Sequence, residues 1–257
     1  MKLLRSIYLI INYKTFIVTA LSLVSTWLCE YYQIVADFPL NIVGLAIVFP
    51  VVFSIDSAYK RRERALGYLA DFKGHCLSIY HASRDWVDAG SSEFHQRIRE
   101  NLIQIYVSVR ELFMSKKRER DKFEKKIFHE ISELSALMQD FRKHGLQPGE
   151  VSRVSQYISK ISIALENMKN ILHYRTPITL RAYSKVFIYT FPIIYGPYFV
   201  FASREYSGGL EYIMPVLFSF ILVSLDNIQV HLEDPYDQVG EDDIKFDVEE
   251  FKENISV

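Results

Sequence analysis

Four long runs without charge punctuate this chain, two toward each end. No Asp, Glu, Lys or Arg falls between Lys14 and Glu30, and the apolar character continues to Ala36. Asp37 and Asp56 bracket a second run, Lys185 and Arg204 a third, and Glu211 and Asp226 a shorter fourth. A hydrocarbon core needs roughly 20 mostly apolar helical residues, and each run approaches that length once its ends snorkel. The pattern predicts four transmembrane helices in two pairs.

The polar stretch between the pairs carries helical periodicity. Ser91-Ser92 before Glu93 is an N-cap signal, and Phe94, Ile98, Leu102, Ile105, Val109 and Leu112 follow at three- and four-residue intervals. A second stripe runs through Phe123, Ile127, Ile131, Leu134, Met138 and Phe141 and is closed by His144-Gly145. Pro148-Gly149-Glu150 opens a third, with Val151, Val154, Ile158, Ile161, Leu165, Met168 and Leu172, ending before Pro177. No strand-length alternation occurs, so the fold class is all-α. The expected division is a surface helix and first pair of spans over 1–59 and a cytosolic helical region over 60–180. The second pair of spans then covers 181–232, and an acidic tail 233–257.

Charge orients this arrangement. Lys2, Arg5 and Lys14 precede the first run, Lys60-Arg61-Arg62 and Arg64 follow the second, and Arg181 and Lys185 precede the third. Positive flanks mark cytoplasmic span ends, which puts both termini and the middle in the cytoplasm of a multi-pass plasma-membrane protein. The apolar opening after Met1-Lys2-Leu3-Leu4-Arg5 is broken by Lys14, so it reads as a surface helix rather than a cleaved signal. The net charge of −1 conceals a segregation. Residues 60–180 hold 22 bases and 15 acids (+7), and 233–257 hold 2 bases and 10 acids (−8). Cys29 and Cys76 are too few for a disulfide framework and read as free thiols.

Catalytic motifs are missing. The chain has no nucleophile elbow, Walker loop, CxxC or HExxH, and its seven histidines are scattered, so no enzyme and no nucleic-acid partner is expected. Three local patterns remain. Leu45, Phe49 and Phe53 recur every four residues in the second run, as a packing stripe or as the hydrophobic constriction of a pore; the run exits through Ser57-Ala58-Tyr59-Lys60-Arg61. Thr176-Pro177 to Ala182-Tyr183 forms an elbow returning to the membrane. Leu232-Glu233-Asp234-Pro235-Tyr236 leaves the fourth run and is followed by Glu241, Asp242 and Asp243. Such clustered acids suit a hard cation but also an ordinary solvated tail.

In this order, the three patterns resemble the signatures of the bestrophin family, including its bacterial members, over almost the whole chain. The resemblance implies a homopentameric ion channel with one axial pore lined by the second span and the cytosolic helices. It places the pore neck at Leu45, Phe49 and Phe53 and a cytosolic aperture at Ile161, with Ile158 as the alternative register. It also makes Glu241, Asp242 and Asp243 a candidate calcium clasp. Two departures weaken the calcium expectation: Asp237-Gln238-Val239 offsets the acids, and Arg62-Glu63 replaces the tryptophans usual after the second-span arginine. The expected partners are four further copies of the chain, the lipid bilayer and permeant inorganic ions, with no resident cofactor apart from that calcium. Anion conduction is the leading expectation. A cation-conducting homologue, or a four-span scaffold that binds a cytosolic protein, are the alternatives.

Overall fold

The computed structural model describes residues 10–37, 40–88, 92–174, 177–238 and 243–256, and its elements are helices with no strand among the described residues. They are α1 (Tyr13–Tyr31), α2 (Leu40–Asp85), α3 (Ser92–Met114), α4 (Arg120–Lys143), α5 (Pro148–His173), α6 (Ile178–Ile194), α7 (Gly196–Glu205), α8 (Leu210–Glu233) and α9 (Val248–Asn254). The chain forms two compact units. One comprises α1, the first half of α2 and α6–α8; the other comprises the second half of α2 with α3, α4, α5 and α9.

The first unit is inside-out by the standards of a protein in water. Helix α1 buries Thr15, Ser22 and Thr26 and exposes Phe16, Ile17, Leu21, Val24 and Trp27. Helix α8 buries Ser219, Ser224, Asp226, Asn227 and Gln229 and exposes Ile213, Val216, Leu217, Phe220 and Ile221. A water-facing surface does not carry apolar area on that scale, whereas hydrocarbon favours it and leaves the polar groups to pack inside. The apolar core proper is small: Val18, Ile47, Val51, Ile188, Phe191, Tyr195, Phe199, Leu222 and Val223. By length and composition, α8 is the one described helix that could cross a membrane alone, and α6 with α7 would make a second span. Helix α1 falls short because its buried side is polar.

The third uncharged run is not the single helix its composition suggests. It breaks at Tyr195, and α6 and α7 diverge by 47°. Pro197 has no N–H to give the Ile193 carbonyl, so the ladder cannot continue. Ser25 of α1 supplies the donor instead, 2.7 Å from Ile193 O, and Ser22 donates to Pro192 O at 2.6 Å. Two hydroxyls on the neighbouring helix therefore satisfy carbonyls that hydrocarbon could not. Gly196 lets the helices meet this closely: a Cβ there would lie 3.0 Å from Ser25 Oγ and 3.2 Å from Cys29 Sγ.

The second unit is a helical body with its apolar side chains inside. The three sequence stripes face inward together with Phe72, Cys76 and Ile79 of α2. Gly145, at φ +87°, ends α4 in the left-handed conformation, and Leu146 N donates back to Phe141 O at 3.1 Å. The segment expected to be a solvated acidic tail instead completes this core. Tyr236 and Phe251 are fully buried; Tyr236 packs on Phe113 at 4.6 Å between ring centroids and Phe251 stacks on Tyr106 at 4.2 Å. Asp247 caps α9 by accepting from the Glu249 and Glu250 amides. With Phe246, these aromatic side chains contribute on the order of 5–9 kcal/mol of burial, a large share of what holds the segment against the body.

Candidate functional site

Helix α2 presents two opposite faces over its uncharged half. Ile47, Val51, Ser54 and Ala58 are buried, at helical spacing and with small residues toward the exit. Leu45, Phe49 and Phe53 lie on the other side, 56%, 56% and 61% exposed, and the Phe49 and Phe53 rings stack at 6.2 Å. Val48 and Val52 widen the same exposed arc. All three expected neck residues thus leave the body of the protomer, the necessary condition for side chains that line a pore. The exit motif stays helical without a break. Ala58 is fully buried, Tyr59 is exposed, and Lys60 pairs with Asp56 at 2.7 Å one turn back.

Neither residue expected at a cytosolic aperture is exposed. Ile161 is fully buried in the core of the second unit and Ile158 packs half-buried at its edge, so neither side chain is directed outward. Helical geometry explains the displacement: Ile161 lies one heptad after the core residue Val154 and one before Met168, on the face that α5 turns inward. The exposed isoleucine of this helix is Ile163, at 60%. Two positions along a helix carry a side chain to the opposite face, which separates Ile163 from Ile161.

The two membrane-junction motifs meet in the structure. Arg181 of the elbow donates to Glu233 of the exit motif at 2.9 Å, with Glu233 3% exposed and Gln229 also reaching it at 3.4 Å. Nearby on α8, Asn227 accepts from Asn12 Nδ2 at 2.8 Å and donates to Ile10 O at 2.6 Å, tying down the approach to α1. Asp226 accepts from the Tyr189 hydroxyl at 2.6 Å. Sequence spacing alone did not pair these groups, although Arg181 and Glu233 both sat within the quoted motifs. Of the elbow, Thr176 lies outside the described residues, and Pro177 directly precedes α6.

Of the candidate calcium clasp, Glu241 and Asp242 lie outside the described residues, and Asp243 is half-buried. No group of three His, Cys, Asp or Glu side chains placed to hold a metal occurs among the described residues. The basic surplus of the middle region is in part neutralised at home. Lys73 pairs with Glu250 of α9 at 3.1 Å, and Arg97 with Asp140 at 3.6 Å. Lys169 is held by Glu124 and Glu166; burial opposes its charge, but the two carboxylates outweigh it and keep the ammonium above its ordinary range.

The Ser83–His95 contact does not form a nucleophile. Ser83 is buried and donates its hydroxyl to Tyr80 O at 2.7 Å, so His95 Nδ1, 3.0 Å away, is positioned to donate to it rather than accept its proton. Burial and the nearby Arg84 hold that imidazole below its ordinary value. Burial likewise pushes the Cys76 thiol well above its usual range, away from the reactive thiolate.

No protein-family model matches the chain, and no curated protein matches it in sequence. Solved structures do match it in shape. A crystal structure of a bacterial bestrophin homologue from Klebsiella pneumoniae, carrying one substitution, aligns with a TM-score of 0.80 over 95% of this chain and 96% of that one, at 14% identity. A second, from the same organism and obtained by Zn-SAD phasing, aligns at 0.76 over 95% and 96%, at 13% identity. The chain has the bestrophin fold. A third crystal structure, described as that of a membrane protein, aligns at 0.80 with the same coverage and 13% identity. At such identity the likeness resides in the path of the chain, and the bestrophin fold here is built from largely different side chains.

Proposed function

We propose that this chain is one subunit of a bestrophin-like ion channel, a homopentamer in which small ions pass passively through an axial pore. The observation that carries this reading is the outward apolar arc of α2 in a chain that matches bestrophin homologues nearly end to end. Five copies of Leu45, Phe49 and Phe53 would stack as apolar rings. Rings of this kind exclude ions by dewetting until the helices separate or rotate, so no chemistry need be done on the ion. In this reading both termini and the whole second unit are cytoplasmic, and Ile163, not Ile161, supplies the apolar side chain of the cytosolic aperture.

Anions are the preferred permeant class. Phenyl edges carry partial positive charge and ease a partly dehydrated anion past Phe49 and Phe53. A cation-conducting pore is the second reading, favoured by the acidic α9 segment, which packs on the same unit as the basic surplus and pairs Glu250 with Lys73. Mass measurement in detergent followed by bilayer recording tests both levels. A pentamer with single-channel currents is expected, with a reversal potential that follows the chloride gradient. A monomer or dimer without currents would return the chain to the scaffold class. A reversal potential that follows sodium would keep the pore and overturn the anion preference.

A further inference from the structure

A cleft of about 810 Å³ opens between α3 and α4 of the second unit. Its wall includes Glu130, which is 6% exposed. Glu130 Oε1 accepts from Ser108 Oγ at 3.0 Å, while its Oε2 accepts no hydrogen bond. Lys126 Nζ approaches only to 3.9 Å of Oε1, beyond hydrogen-bonding reach. Asn101, also in the wall, donates from Nδ2 to the Glu130 carbonyl at 3.2 Å and leaves its own Oδ1 without a donor. Two linked residues thus bring unfilled acceptors to one cleft. Buried polar atoms are rarely left so without a ligand or water to complete them.

We propose that this cleft binds a small aliphatic primary ammonium, whose N–H groups complete Glu130 Oε2 and Asn101 Oδ1. The vacant positions are acceptors, and an ammonium brings three donors and no acceptor. An anion fits poorly, because the nearby bases are already engaged: Arg97 and Lys143 with Asp140, and Lys126 with Glu111. A bare metal fits poorly too, since no cluster of three ligating side chains occurs among the described residues. Ala136 and Leu137 give an alkyl chain an apolar wall, and the Glu100 and Glu133 carboxylates at the cleft suit a second ammonium, so a diamine is the best-matched probe. Burial, chiefly, holds the Glu130 carboxyl above its ordinary value; Ser108 and Lys126 oppose this, and Glu133 and Glu111 reinforce it.

Calorimetric titration of the full-length detergent-purified protein with putrescine tests the inference. Saturable binding is expected, and tetramethylammonium, which has no N–H, is expected not to bind. Glu130→Gln should weaken putrescine roughly tenfold or more. Ala136→Trp, a change at an exposed position, should fill the cleft and abolish binding even if the Glu130 variant fails to fold. Absence of saturable putrescine binding by the wild type, equal binding by the Ala136→Trp protein, or equal binding of tetramethylammonium overturns the proposal. The titration reads binding and not conductance, so its outcome is separate from that of the channel reading.

Discussion

Two isoleucines two positions apart on α5 provide a sharp test of the proposed aperture. Ile161 is fully buried among the core residues of the second unit, whereas Ile163 is 60% exposed. Truncating a buried isoleucine to alanine costs about 2–5 kcal/mol in lost transfer energy and cavity formation. For a chain of this size each kcal/mol is worth about 2–4 °C, so Ile161→Ala should lower the melting temperature by roughly 4–20 °C. Ile163→Ala removes a side chain that is mostly in solvent and should change stability by no more than about 0.5 kcal/mol. The permeability effects should run the other way. Ile163→Ala should alter relative permeability among ions of different size in reconstituted bilayers, and any surviving Ile161→Ala protein should keep the wild-type ratios. The paired assay is thermal unfolding in detergent alongside bi-ionic reversal potentials. A stable Ile161→Ala channel with altered permeability, beside a silent Ile163→Ala, would refute the placement of both side chains.

Four further outcomes are expected. Joint replacement of Phe49 and Phe53 by alanine should raise basal conductance while leaving the oligomer intact on gel filtration; unchanged currents would remove these rings from the gate. Arg181→Ala deprives the buried Glu233 of its guanidinium and should cost about 3–5 kcal/mol, seen as a lower melting temperature, and an unaltered transition would show the pair to be dispensable. The Glu130 carboxyl is raised in the folded protein, so the unfolded chain loses its proton first, and this group's contribution to stability falls as pH rises above the ordinary 4.5. The stability difference between wild type and Glu130→Gln should therefore shift against the wild type with rising pH, and a flat difference would refute the burial argument. Gly145→Ala would force a left-handed residue to carry a Cβ that meets the Asp88 carboxylate at 2.1 Å, so thermal unfolding should show a loss of more than about 1 kcal/mol.

The soluble helices were legible because water enforces amphipathicity: Ile98, Leu102, Ile105 and Val109 had to line up for α3 to bury anything. The outward stripe of α2 was legible for the same periodic reason, although periodicity alone could not say whether Leu45, Phe49 and Phe53 faced in or out. The break at Tyr195 was harder to read. In an apolar run, Pro192 and Pro197 look alike, yet the helix runs through the first and breaks before the second, and Ser25, which donates to the Ile193 carbonyl there, lies 168 positions away. The Ile161 register failed because a family-style count fixes position along a helix and not azimuth. Tyr236, Phe246 and Phe251 were hidden among acids, where charge masked three aromatic anchors.

Those anchors bear on how the protein is made. Tyr106 and Phe113 emerge from the ribosome long before the rings that cover them, because Tyr236, Phe246 and Phe251 are encoded after α6, α7 and α8. Synthesis from the end of α5 to the end of α9 takes roughly 4–16 s at about 5–20 residues per second. During that interval the membrane helices can already insert while the soluble core stays open on one side. A nascent chain of this protein is therefore expected to need chaperone cover on α3, α4 and α5 until the acidic segment arrives to close their core.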